Sequence, residues 1–450
     1  MIGASLSRWT MSYFSVALLS LLGAEALMVS GFGFPSRPIT APQTLVLVHL
    51  TVIGWLSLLM SGALIQFVPV LVAKPLAHPD LPAVALALLL IGLAGLIAGF
   101  LDIPGISSTS MPWLPFGAMV LSAGFVLNLW NLGRTLWSAR PMGLPARFVV
   151  AGLVSLAGVV ALGIVFSLTL ARWTTSEVLT TLTAHGVALH AALGLGGWLG
   201  FTAMGVSYRL LAMFMLAPEE KRWTSRIALG AGTASIVVLL VGGPACLLFG
   251  LKLDHVLVVA LLMASICVVL YGHDVVRLYR TRKRRHMELN TRMAAVALGG
   301  LGIAALLLLA LAALGDVARY IGAVVFLVAF GWLSGLGLAK LYKIVAFLTW
   351  LQCYGPLIGK RATPRVQDLA DEPRAMPWFW LYFASVGAAS VAAFLDTPLV
   401  FRIAALGMLV ATAGICAELV RIRTLKSVPT PMLPEGVQAR PRLILPSLER

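Results

Sequence analysis

A run of apolar residues long enough to cross a bilayer as a helix, about 20 residues, recurs twelve times in this chain of 450 residues. The runs lie near 9–34, 43–73, 82–101, 112–133, 147–171, 179–210, 225–250, 256–273, 293–314, 317–346, 378–396 and 399–421. Inside lipid no water is available to the backbone, so only helices and closed barrels can span. Barrel strands are short and alternate apolar with polar residues, whereas these runs are long and continuously apolar. The sequence therefore predicts an all-α polytopic membrane protein, with residues 1–426 as a single transmembrane domain. Only 11% of residues are charged, less than half the ~25% of soluble domains. Residues 427–450 hold five prolines and no periodicity, and read as a disordered cytoplasmic tail.

The net charge of +16 does not point to nucleic acid, because its distribution follows the loops. Lys and Arg concentrate in alternate connections, as topology signals do. With both termini in the cytoplasm, that side holds Arg8, Lys74, Arg134, Arg140, Lys221, Arg222, the cluster Arg277–Arg292, Lys360, Arg361 and Arg365. The opposite side holds only Arg37, Arg172, Lys252, Arg319 and Arg402. A bacterial-type inner (plasma) membrane location follows, with the lipid bilayer as the first partner. The basic run from Arg280 to Arg285 reads as a stop-transfer and lipid-headgroup anchor. Asp102, Asp254, Asp316 and Asp396 close the outward-running helices or their loops. They serve interfacial solvation or, in a sharper reading, an acidic rim for cations. The four cysteines, Cys246, Cys267, Cys353 and Cys416, show no CxxC spacing and read as small hydrophobes.

One motif recurs. Gly54-Trp55-Leu56 in span 2 returns as Gly197-Trp198-Leu199 in span 6 and Gly331-Trp332-Leu333 in span 10, at separations of 143 and 134 residues. Twelve spans with this spacing make three pseudo-repeats of four helices. Gly196 with Gly200, and Gly331 with Gly335, form small-xxx-small pairs suited to close helix approach. The motif serves packing or, alternatively, contacts a cofactor. Gln66, Arg209 and Lys343 each fall twelve residues after the motif glycine. Snorkelling to the interface accounts for them; a shared inward-facing polar ring is the alternative.

An ionisable side chain within a span is costly and marks a candidate site. His49 falls five residues before Gly54, about 9 Å into span 2 at 1.5 Å per residue. The aligned positions are Ala192 and Phe326; span 6 offers His190 and His185 instead. His185 and His190 are about 140° apart around a helix, which argues against one metal held from one face. Neutral histidine ligates haem iron or copper, and a hydrogen-bonded structural histidine is the alternative. Glu25 in span 1 lies at a similar depth to His49, with a neutral, hydrogen-bonded carboxyl as its plainer reading. His78, His255, His273 and His286 fall in loops or at span ends and are expected to be solvated.

Twelve spans in three four-helix repeats, with the span-2 histidine His49 on the outer side, resemble subunit I of the haem-copper oxidases and nitric oxide reductases. The resemblance implies that His49 occupies the low-spin haem position, and that His190 or His185 occupies the span-6 metal position. It also implies ligands this chain lacks: span 7 has no histidine, and span 10 carries Phe326 where the repeat would place one. The chain thus reads as an oxidase-like protein without the binuclear centre, and not as a complete oxygen reductase.

Two function classes follow. The first is a non-pumping relative that binds haem b, or copper, through His49 with His190 or His185. It would serve electron transfer, gas or redox sensing, or metallocofactor handling, with a redox partner or another membrane subunit. The second is a cofactor-free transporter or channel-like protein on the same scaffold, since repeats commonly frame a substrate path.

Overall fold

The computed structural model describes residues 9–103, 111–218, 222–360 and 362–433. Arg8, Lys221 and Arg361, placed on the cytoplasmic side by charge, and most of the expected disordered tail lie outside them. The described chain is helical, with no strand, and contains twelve helices long and apolar enough to cross a membrane. These are α1 (Thr10–Ser30), α2 (Pro42–Val72), α3 (Leu81–Asp102), α4 (Trp113–Trp137), α5 (Leu144–Leu170) and α6 (Val187–Met215). They continue as α7 (Trp223–Leu248), α8 (Leu253–Arg280), α9 (Leu289–Leu314), α10 (Val317–Leu357), α11 (Glu372–Phe394) and α12 (Pro398–Arg423). The protein is an all-α, multi-pass membrane protein.

Helix starts follow local chemistry. Pro42, Pro82, Pro145, Pro373 and Pro398 each stand in a first turn, where a missing N–H costs nothing. Gly31 and Gly315 end α1 and α9 in the left-handed conformation, which glycine adopts without strain.

The chain divides into two compact units, one drawn from Met1–Gln66 and His286–Arg450, the other Phe67–Arg285. Within them the helices pair in a repeating order. The first and second helices of each four pack together, as α1 with α2, α5 with α6 and α9 with α10. The third and fourth do likewise, as α3 with α4, α7 with α8 and α11 with α12. The threefold pattern of the sequence is thus also a pattern of packing.

Glycines set the closest approaches. In the α3–α4 pair, a methyl on Gly99 would lie 2.6 Å from Leu114 Cα, and one on Gly117 would overlap the backbone of Leu96. In α6 the packing glycine is not Gly196, which faces open space, but Gly197, whose added methyl would collide with Ser155. The residue four places on from Gly197 is Phe201, so this contact is made by one glycine and not by a small-xxx-small pair. Gly331 and Gly335 do serve: Gly331 backs onto Gly300 of α9, and Gly335 abuts Phe383.

Span 6 also begins later than expected. A separate short helix, Glu177–His185, ends at Gly186, and α6 starts at Val187. At the other end of the chain, residues following Lys426 pack back. Thr430–Met432 form a 3-10 turn, and the Tyr354 hydroxyl donates to Met432 O at 3.1 Å.

Candidate functional site

All three Gly-Trp motifs lie in stretches of π-helix, Leu50–Ser57, Ala192–Phe201 and Leu327–Ser334. A π turn bonds to the fifth residue instead of the fourth and widens the helix, a distortion frequent at functional sites. The widened turn leaves carbonyls that must find partners inside the protein. Side chains supply them. Ser334 Oγ donates to Ala329 O at 2.7 Å, Tyr382 Oη to Phe330 O at 3.0 Å, and Ser155 Oγ to Leu193 O at 2.9 Å. Gly54 and Trp55, Gly197 and Trp198, and Gly331 and Trp332 are all buried. Each motif thus places a bulky indole in the core beside a buried glycine.

Trp55 does more than fill space. Its indole N–H donates to Ser334 Oγ at 2.7 Å, joining the π stretch of α2 to that of α10. Both groups belong to the first unit. Ser57 and Gly200 are the residues aligned with Ser334 in the other copies.

His49 is the residue immediately before the first π stretch. Its Nδ1 lies 2.7 Å from Leu45 O. A carbonyl only accepts, so in the neutral imidazole Nδ1 carries the proton and Nε2 the lone pair, the arrangement in which metal-ligating histidines are held. Phe326, the aligned residue before the third π stretch, stacks on Phe330 at 4.8 Å and meets Phe401 edge-on at 5.1 Å. An aromatic cluster therefore occupies the position where the repeat would put a second imidazole. His190 is half-buried in the second unit against Phe166, ring centres 5.5 Å apart. His185 is exposed at the end of the short helix, beyond the Gly186 break. His78, His255, His273 and His286 are exposed, as expected of loop and end positions. Among the described residues no three His, Cys, Asp or Glu side chains gather as a metal-binding group.

Glu25 is fully buried in α1. Thr412 Oγ1 of α12 donates to its Oε1 at 2.9 Å. Lys340 in α10 is 7% exposed, so it is buried and does not snorkel. Lys343 pairs with Glu288 at 2.7 Å.

The second unit holds a polar cluster that sequence reasoning missed. Asp274 of α8, 5% exposed, accepts from Thr224 at 2.6 Å and from Tyr208 at 3.0 Å. Arg222 and His273 approach the same carboxylate at 3.9 and 3.6 Å. Its partners come from α6, the start of α7 and α8, which no local motif connects. In the first unit, a cleft of about 490 Å³ opens between the start of α11 and the end of α12, lined by Asp368, Asp371, Glu372, Arg421 and Lys426. Glu418, beside it, is paired with Arg374 at 2.8 Å and Arg421 at 3.5 Å.

No family model and no curated protein matches this chain.

Proposed function

We propose that this is an inner-membrane protein, both termini cytoplasmic, that binds a b-type haem through His49 on an oxidase-like scaffold. It would work in electron transfer, gas or redox sensing, or metallocofactor handling, with a redox partner or a further membrane subunit. One observation carries the proposal: His49 stands at the edge of a π stretch with Nδ1 anchored to Leu45 O at 2.7 Å, which leaves the lone pair on Nε2.

The donor chemistry favours haem over copper. A haem needs one or two side-chain ligands, whereas a copper site built from protein alone needs about three. His49 supplies one such ligand. Haem would supply a one-electron centre; the protein's part is to fix the imidazole tautomer and keep the surroundings apolar. Phe326 in place of a span-10 histidine argues against a complete oxygen reductase.

The experiment is a visible spectrum of the detergent-purified protein, oxidised and then dithionite-reduced, with elemental analysis. A reduced α-band lost in His49→Ala supports haem at His49. Copper without haem would reassign the metal, and a featureless spectrum without metal would end the proposal.

A second function, a cofactor-free transporter, is favoured by buried Lys340, an ionisable group within a span. Solute uptake into vesicles that is lost in Lys340→Met would select it.

A further inference from the structure

Glu25 is 0% exposed, yet its carboxyl is bonded on one side only. Thr412 Oγ1 donates to Oε1, while Oε2 is buried with no hydrogen-bond partner among the described residues. No cation pairs with it there either. Among the described residues, the titratable groups within electrostatic reach are Tyr382 of α11 and Cys416 of α12, and the Tyr382 hydroxyl donates its hydrogen bond to Phe330 O at 3.0 Å. Arg402 lies beyond the end of α1, where it donates to Val29 O at 2.8 Å.

A carboxylate stripped of water, with one neutral donor and no counter-ion, carries a large desolvation penalty. The charge must be cancelled by something that binds at the carboxyl. A metal cation would need several oxygen ligands, and among the described residues no second carboxylate gathers with Glu25 as a metal-binding group. A proton needs a single lone pair, which Oε2 has.

We propose that Glu25 is a proton-binding site in the membrane interior, a carboxylic acid whose proton is exchangeable, with Thr412 as the residue that positions it. The site stands apart from the reading of His49 and does not depend on haem. No bond other than O–H forms or breaks: the proton leaves Oε2 to water or a mobile base and returns from it.

The test is infrared spectroscopy of the full chain in lipid vesicles. A C=O stretch from a protonated carboxylic acid is expected in the wild type and absent in Glu25→Gln. Thr412→Val removes the donor to Oε1 and should raise the frequency of the same band, which a merely structural carboxyl elsewhere would not show. Transfer to D₂O should lower it. If Glu25→Gln does not fold, the Thr412→Val shift decides. A band that is absent, unmoved by both substitutions, or insensitive to D₂O overturns the proposal. So does a band that disappears on adding sodium at fixed pH, which would make Glu25 a sodium site.

Discussion

Trp55 Nε1 and Ser334 Oγ are 2.7 Å apart and 279 residues apart in sequence. Ser334 passes the contact on, since its own hydroxyl donates to Ala329 O at 2.7 Å. A single hydroxyl therefore satisfies an indole N–H from one π stretch and a carbonyl of another.

Removing the hydroxyl should cost more than removing the indole N–H. Ser334→Ala leaves the buried Trp55 donor without the hydroxyl that accepts from it, at about 1–3 kcal/mol. In the combined variant Trp55→Phe plus Ser334→Ala the donor is gone as well, so the two costs should not add. Thermal unfolding in detergent, run as a double-mutant cycle, reads the coupling. Strict additivity would mean the bond contributes nothing.

Gly117 and Gly133 both lie in α4 and should respond oppositely to alanine. A methyl at Gly117 would overlap the backbone of Leu96, whereas Gly133 has nothing within 4 Å. Gly117→Ala should destabilise by about 1–3 kcal/mol through overpacking. Gly133→Ala should gain up to about 1 kcal/mol from helix propensity. Equal melting temperatures for the two variants would refute the α3–α4 packing described above.

Asp274 should matter more than either hydroxyl it holds. Asp274→Ala strands Thr224 and Tyr208 together, at about 2–3 kcal/mol, while Tyr208→Phe removes one donor at about 1 kcal/mol. Melting temperatures of the two variants check the order; a larger loss in Tyr208→Phe would contradict it.

His49 and His185 separate the ligand candidates. His49→Ala is expected to lose the haem spectrum. His185→Ala is expected to keep it, because His185 is exposed on the short helix outside α6. Loss of the spectrum in His185→Ala with retention in His49→Ala would invert the assignment.

The spans were legible because burial in lipid demands long apolar runs, and hydropathy reports that directly. The Gly-Trp motif was legible as a repeat, but the π geometry was not, because residue type does not encode whether a turn closes at four residues or five. Choosing Gly196 over Gly197 as the packing glycine failed for the same reason: a wide turn shifts which residue faces the neighbour. Span 6 was drawn too long because Glu177–His185 is itself helical and only Gly186 interrupts it. The burial of Lys340 was not legible, because it depends on how neighbouring helices cover that face of α10. Asp274, Tyr208 and Thr224 were invisible as a group, since their meeting depends on how three helices pack. Glu25 was conspicuous from the start, because a carboxyl in an apolar run needs no partner to stand out.

The π stretches have a consequence for how the three copies differ. An extra residue in a turn puts the helix beyond it out of phase by about 100° with the helix before it. Each Gly-Trp helix is thus two rods spliced at an angular offset, and the splice begins beside His49 in one copy, Ala191 in the next and Phe326 in the last. The scaffold keeps its geometry three times over while varying the residue at the edge of the splice: an imidazole once, a methyl once, an aromatic plug once. Shape and chemistry are separable in this molecule: the turn recurs, and the side chain at its edge does not.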